Sequence, residues 1–351
     1  MARKESSIKL LIKQRFYFLV EVIIVFFGIF FVLFPTIFIP YDEKLDVLYG
    51  ISFYVLRAIL VVLAISLFLY ISNYAMEKRR STIILDYESN PSKNFRSLFS
   101  IKKSNYKYQI LYGILLLFLL FIPLDYFTYL FLPQMIPFSA NSLSLNVTNS
   151  YLGKSYLVFI LSAIIIQFSV AFYEEAISRG FLTNRGNDYV PKMSAIMIAS
   201  IFFGMGHFTY ILNIASLGIS IILPIIWCIE AVVIGIILSM LVMRRRWIFP
   251  AIFAHAINNI ISAHVIWNYF QGNDFTIFAI FLYPILLVIG LVLLILNYSL
   301  IREALSIGFK DLKMYFKNDA RIKEPTDYKI IRIMLDVLFG VLIFIFGYFL
   351  T

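Results

Sequence analysis

Three short polar clusters interrupt the apolar stretches of this 351-residue chain. The first is Glu174-Glu175-Ala176-Ile177-Ser178-Arg179, the second Phe203-Gly204-Met205-Gly206-His207, the third His255-Ala256-Ile257-Asn258-Asn259. Together they hold the side chains that hydrolysis needs when no serine or cysteine acts as nucleophile. A glutamate can take a proton from water, and a histidine can assist it. A second histidine and an amide can donate hydrogen bonds to the oxyanion that then forms.

Helical spacing sorts these residues. Glu175 and Arg179 are four apart with the acid first, the favoured order for an ion pair on one helix face. Glu174 lies about 100° round the helix from Glu175, lacks that local partner and can point elsewhere. Phe203 and His207 are one turn apart and share a face. Gly204 and Gly206 beside them should let another backbone approach closely. His255 and Asn259, four apart, can present donors to one point. The third histidine, His264, follows His255 by nine residues, about 180° round a helix, and reads as interfacial or structural.

The elements that must position these groups are membrane spans. The chain is 61% hydrophobic and 14% charged, whereas soluble domains run at about 45–50% and about 25%. Nine apolar segments are each long enough to cross a bilayer. They run approximately over Phe16–Ile39, Leu48–Ala75, Ile110–Leu132, Tyr156–Phe181, Met193–Leu212, Leu217–Met243, Trp247–Tyr269, Phe275–Leu300 and Ile330–Leu350. The expected fold is therefore all-α, a polytopic membrane helical bundle of about nine transmembrane helices. A charge at a span's centre costs about 2.5–3.5 kcal/mol on insertion scales. Three charges within six residues must then be paired or hydrated. Gly180-Phe181-Leu182 carries the apolar pattern past Arg179, so the charges belong to the span rather than to a cytosolic flank. At a rise of 1.5 Å per residue from span ends taken near Asn184, Lys192 and Trp247 on the side of the basic loops, Glu174 lies about 15 Å deep, His207 about 22 Å, His255 about 12 Å and Asn259 about 18 Å. All four fall in one layer of the bilayer. Asp125 and Glu230 are also deep enough to line a cavity. Glu21 and Asp336, nearer the ends of their spans, are expected to pair or snorkel.

The net charge of +10 comes from Lys and Arg in the N-terminal segment and in alternate loops. Positive residues crowd 76–107, 185–192, 244–246 and 302–329. The intervening loops at 42–46, 133–155, 211–216 and 271–274 are acidic or nearly neutral. That alternation describes membrane topology and not a nucleic-acid partner. It predicts a cytoplasmic N-terminus and an external C-terminus. The first span is too long for the apolar core of a cleaved signal peptide. The single cysteine, Cys228, allows no intramolecular disulfide. Ser97–Lys107 reads as a basic loop lying on the anionic leaflet.

The motifs Glu-Glu-x-x-x-Arg at 174–179, Phe-x-x-x-His at 203–207 and His-x-x-x-Asn at 255–259, in that order, resemble those of the CPBP intramembrane proteases. That name stands for CAAX protease and bacteriocin-processing; the family is also called the Abi or type II CAAX-endopeptidase family. The resemblance covers about Tyr156–Tyr269. It divides the chain into residues 1–155 with three spans and a basic loop, a catalytic core at 156–270, and C-terminal spans at 271–351. It implies that Glu174 activates water, that His207 helps to orient that water, and that His255 and Asn259 bind the oxyanion. Glu175, Arg179 and Phe203 would give structural support. No cofactor is implied. Two histidines and a glutamate can bind zinc, which stays open as a minority alternative, but Asn259 is a poor zinc ligand.

Family members include proteases that trim prenylated proteins and bacterial relatives linked to bacteriocin self-immunity and peptide maturation. The expected partners are a peptide or protein substrate at the membrane and the lipid bilayer. The oligomeric state is left open. The composition leans towards a bacterial plasma membrane. The main alternative is a non-catalytic membrane scaffold or bacteriocin-immunity protein with the same fold. A transporter ranks below it, because the chain shows no inverted repeat.

Overall fold

A computed structural model of the chain describes residues 7–80, 90–213, 220–317 and 326–350. Arg3 and Lys4, part of the second basic loop, residues 214–219 at the expected start of the sixth span, and Arg321 and Lys323 lie outside the described residues. Among the described residues the fold is all helix. Nine helices among these described residues are long and apolar enough to cross a membrane. They are α1 (Ile8–Phe38), α2 (Glu43–Ala75), α3 (Tyr106–Phe131), α4 (Tyr156–Tyr189), α5 (Lys192–Ile211), α6 (Ile222–Arg245), α7 (Phe249–Phe270), α8 (Phe278–Leu296) and α9 (Tyr328–Phe349). A helix satisfies its backbone N–H and C=O groups internally, which a chain crossing hydrocarbon must do.

The helix carrying the first polar cluster lies at the centre of the packing. α4 packs against α7 on one side and α2 on the other. α5 is wedged between α6 and α9 and also touches the second half of α4. α3 covers α7. Helix α4 does not end at its charges, as the apolar pattern past Arg179 implied. It continues through a wider π-type stretch, Ala176–Thr183, to Tyr189, and residues 175–183 are buried throughout.

Each wide stretch has a local cause. In α3 the π-type stretch Leu117–Phe121 is followed by Pro123, and in α8 the stretch Phe278–Leu282 is followed by Pro284. Proline lacks an N–H, and its ring displaces the carbonyl four residues back. No proline follows in α4. There the Ser178 hydroxyl donates to the Glu174 carbonyl at 2.7 Å and the Thr183 hydroxyl to the Ser178 carbonyl at 2.9 Å. Hydroxyls that bond back to a carbonyl of the preceding turn often accompany a local distortion of a helix.

Two expectations about connections are corrected. By composition, residues 133–155 are expected to form a loop. They instead form a helix, Met135–Ser144, and a 3-10 turn, Val147–Gly153, which pack into the bundle with Phe138, Tyr151 and Leu152 fully buried. Pro133 and the Ser- and Asn-rich stretch after it lack the length of a span, which hid the helix. The eighth span ends at Leu296 rather than Leu300. After Asn297 a separate, largely exposed helix runs over Tyr298–Tyr315.

The isolated intramembrane charges become ties between helices. Arg15 on α1 and Asp336 on α9 form a fully buried ion pair at 2.6 Å. Glu21 on α1 accepts from Arg185 at 3.1 Å, from Ser72 at 2.6 Å and from Tyr189. The Tyr315 hydroxyl donates to Asp336 at 3.0 Å. Burial and the neighbouring Asp336 push that hydroxyl's pKa above the ordinary tyrosine range, so it stays a proton donor. Removing one member of a buried pair leaves an uncompensated charge, which typically costs about 3–5 kcal/mol, while replacing both with apolar groups is far milder. Asp336→Ala should therefore lower the unfolding midpoint in detergent sharply. Arg15→Met combined with Asp336→Leu should restore much of that loss in the same thermal assay.

Candidate active site

The three motifs come together around one cavity of about 520 Å³. α4 contributes Glu174, α5 contributes His207, and α7 contributes His255 and Asn259. Ends of other elements complete the wall. Ser139, Ser142, Asn146 and Asn149 come from the 133–155 connection, and Phe344 and Tyr348 from the end of α9. These stretches lie on the face opposite the basic loops, so the cavity extends from the four motif residues towards that face.

The paired glutamates divide as their helical angle predicts. The Glu175 side chain is 0% exposed and accepts from Arg179 Nη1 at 2.9 Å. The Glu174 side chain is 29% exposed and reaches the cavity. Arg179 is itself fully buried, and its Nε and Nη2 have no hydrogen-bond partner. Its guanidinium instead lies 4.1 Å from the centre of the Phe203 ring. A desolvated cation over an aromatic face is stabilised by the ring quadrupole. Phe203 therefore carries the charge that neutralises Glu175. The same ring meets the edges or faces of His207 at 5.1 Å and His255 at 5.9 Å between centroids.

His255 links the two acids. Its Nδ1 is 2.9 Å from Glu175 Oε1, and its Nε2 is 3.7 Å from Glu174 Oε2. Its ring stacks on Phe121 from α3 at 6.1 Å. Glu175 Oε1 thus meets both Arg179 and His255, and its hydrogen bond fixes the ring so that Nε2 faces Glu174. His207 is held differently. Its Nδ1 is 3.2 Å from the Phe203 carbonyl in its own turn, and its ring packs edge-on against Trp227 at 5.3 Å. With Nδ1 donating to that carbonyl, Nε2 is left as an acceptor.

Gly204 and Gly206 part company. A Cβ on Gly204 would sit 2.8 Å from the Cys228 carbonyl of α6, the close backbone approach that the sequence suggested. A Cβ on Gly206 would meet nothing within 4 Å; this residue faces the cavity and not a neighbouring helix. His264 lies apart among the rings of Tyr156, Phe159, Trp267 and Phe278.

Sequence reasoning singled out Asn259 by its spacing and passed over Asn258. At three and four residues from His255, both lie on its side of the helix, and both line the cavity. Asn258 is only 6% exposed, and its Oδ1 has no hydrogen-bond partner. The polar residues of 139–149 were also missed, for want of any motif in that stretch. Among the described residues no three His, Cys, Asp or Glu side chains are grouped to hold a metal ion. Both site histidines also direct Nδ1 to protein acceptors.

Residues 156–261 match the family described as type II CAAX prenyl endopeptidase Rce1-like. The match spans under a third of the chain and contains every motif residue from Glu174 to Asn259. It agrees with the family resemblance drawn from the motifs. No curated protein and no solved structure matches the chain.

The contrast between the two glycines is testable. Gly204→Ala should cost about 1–3 kcal/mol by overpacking the α5–α6 contact, whereas Gly206→Ala should leave the unfolding midpoint within error of the parent.

Proposed function

We propose that this chain is an intramembrane endopeptidase that hydrolyses a peptide bond in a membrane-associated peptide or protein. The observation that carries this reading is the division of the paired acids. Glu175 is neutralised by Arg179 and bound to His255, while Glu174 is the acid left facing the cavity.

In the proposed reaction Glu174 takes a proton from a water molecule whose other hydrogen is accepted by His207 Nε2. The hydroxide attacks the carbonyl carbon of the scissile bond. The resulting oxyanion receives hydrogen bonds from the Asn259 amide and from Nε2–H of His255, which acts in this step as the imidazolium with its Nδ1–H on Glu175. Collapse of the tetrahedral intermediate breaks the C–N bond, and the departing nitrogen takes the proton from Glu174. The products are a carboxylate and an amine. A water-excluding helical bundle strengthens each of these charge interactions. The chemistry calls for no metal.

The alternation of basic loops supports a cytoplasmic N-terminus and an external C-terminus, and the composition favours a bacterial plasma membrane. The cavity then reaches outward from the catalytic layer.

A pool of quenched fluorogenic peptides given to the purified, membrane-reconstituted chain tests the reading. Glu174→Gln should slow hydrolysis by about 10²–10⁴-fold, and His255→Ala should also abolish it. His264→Ala, remote from the cavity, should retain activity. Equal turnover by wild type and Glu174→Gln would sink the reading. A chelator should leave the wild-type rate unchanged; a loss restored by added zinc would overturn the metal-free mechanism.

A further inference from the structure

The cavity holds two more acids, neither used by the hydrolysis described above. Asp125 from α3 and Glu230 from α6 line its wall. The Ser262 hydroxyl of α7 donates to Asp125 Oδ2, and the Thr128 hydroxyl of α3 donates to Glu230 Oε1. Neither acid forms an ion pair among the described residues, unlike Glu21, Glu175, Asp188 and Asp336. Arg57, which also lines the cavity, has its guanidinium 5.1 Å from the centre of the Tyr173 ring, next to Glu174. Among the described residues, every other deep acid is joined to a buried cation or belongs to the proposed catalytic set. Two acids whose hydrogen-bond donors are neutral hydroxyls are an exception that needs a cause.

A second observation points the same way. Asn258 is nine-tenths buried, lines the cavity, and leaves Oδ1 without a partner. Ser142, equally buried, lines the same cavity with its hydroxyl unpartnered. Buried polar groups are ordinarily hydrogen-bonded. Asn258 Oδ1 is an acceptor, as are the two carboxylates. The group that would satisfy all three is one rich in donors and positively charged: an ammonium with three N–H groups or a guanidinium with five.

We propose that Asp125, Glu230 and Asn258 form a subsite for a lysine or arginine side chain of the substrate. The inference rests on the peptidase reading and adds a substrate class to it. The spacing along α7 sets the position. Ser262, which binds Asp125, follows His255 by seven residues, about 10 Å along the axis. An extended peptide advances about 3.3 Å per residue. The basic residue therefore lies within about three residues of the scissile bond, on the side away from the basic loops. A cation entering this wall of the cavity leaves water, and two carboxylates with an amide oxygen replace its hydration shell.

The test uses two fluorogenic peptide series differing only in a lysine replaced by norleucine, moved one to four residues either side of the cleaved bond. Wild type should cleave the lysine peptide at least tenfold faster in kcat/KM at the matching position. In the double variant Asp125→Asn, Glu230→Gln that ratio should fall to near one. Being a ratio, it does not depend on the fraction of folded protein. A ratio near one in wild type, or an unchanged ratio in the variant, overturns the subsite. Binding to the Glu174→Gln variant, read by fluorescence anisotropy with the same two peptides, separates the two proposals. If wild type cleaves nothing, the peptidase reading fails. The subsite still stands if the lysine peptide binds at least tenfold more tightly, and falls if the two bind alike.

Discussion

The carboxylate of Glu175 is the constraint on which the site is built. One of its oxygens meets both the Arg179 guanidinium and the His255 ring. A charged acid in the middle of a bundle is costly unless it is paired and hydrogen-bonded. Arg179 meets that requirement from one helical turn away, and Phe203 in turn carries Arg179 on its ring face. Because Glu175 is settled within this chain of contacts, it can hold His255 in one orientation. The neighbouring acid, Glu174, then meets His255 from the cavity side. Three helices are thereby joined through the buried side chains of Glu175, Arg179, Phe203 and His255. The precision of the arrangement comes from their burial.

The surrounding bundle repeats this logic at lower stakes. Each isolated charge near the basic-loop face joins helices distant in sequence, with Arg15 to Asp336 spanning nearly the whole chain. The turn between α6 and α7 adds another tie. Arg246 adopts a left-handed backbone, φ 58°, rarely taken by a side-chain-bearing residue, and its guanidinium donates to Asn184 at the end of α4. Helices α4, α6 and α7 are thus fixed at one end while the cavity opens towards the other. The π-type stretch in α4 lies directly after the paired acids, where the backbone departs from regular helix geometry without losing the Glu175–Arg179 bond. Departures of this kind often accompany functional positions.

Within this frame the cavity reads as two regions with different chemistry. Near Glu174 lie the two histidines and Asn259, suited to moving a proton and holding an oxyanion. Near Ser262 lie acceptors without cations. On the proposed reading of the chain as a peptidase, the first region would take the reacting bond and the second a residue beside it.

The sequence by itself determined the number of candidate spans found among the described residues, the pairing of Glu175 with Arg179, and the separate direction of Glu174. All of these follow from helical period and hydrophobic length, which a bilayer imposes on any chain that crosses it. It also placed Asp125 and Glu230 deep enough to line a cavity. Only the tertiary structure decided what each histidine faces, because Nδ1 and Nε2 differ by what neighbouring helices bring to them. Only it revealed that Asn258 shares the cavity with Asn259, that residues 135–153 form a buried part of the wall, and that Gly206 opens on space while Gly204 meets a backbone. Those facts depend on contacts between residues far apart in the chain, and periodicity along one helix carries no information about which helix stands opposite.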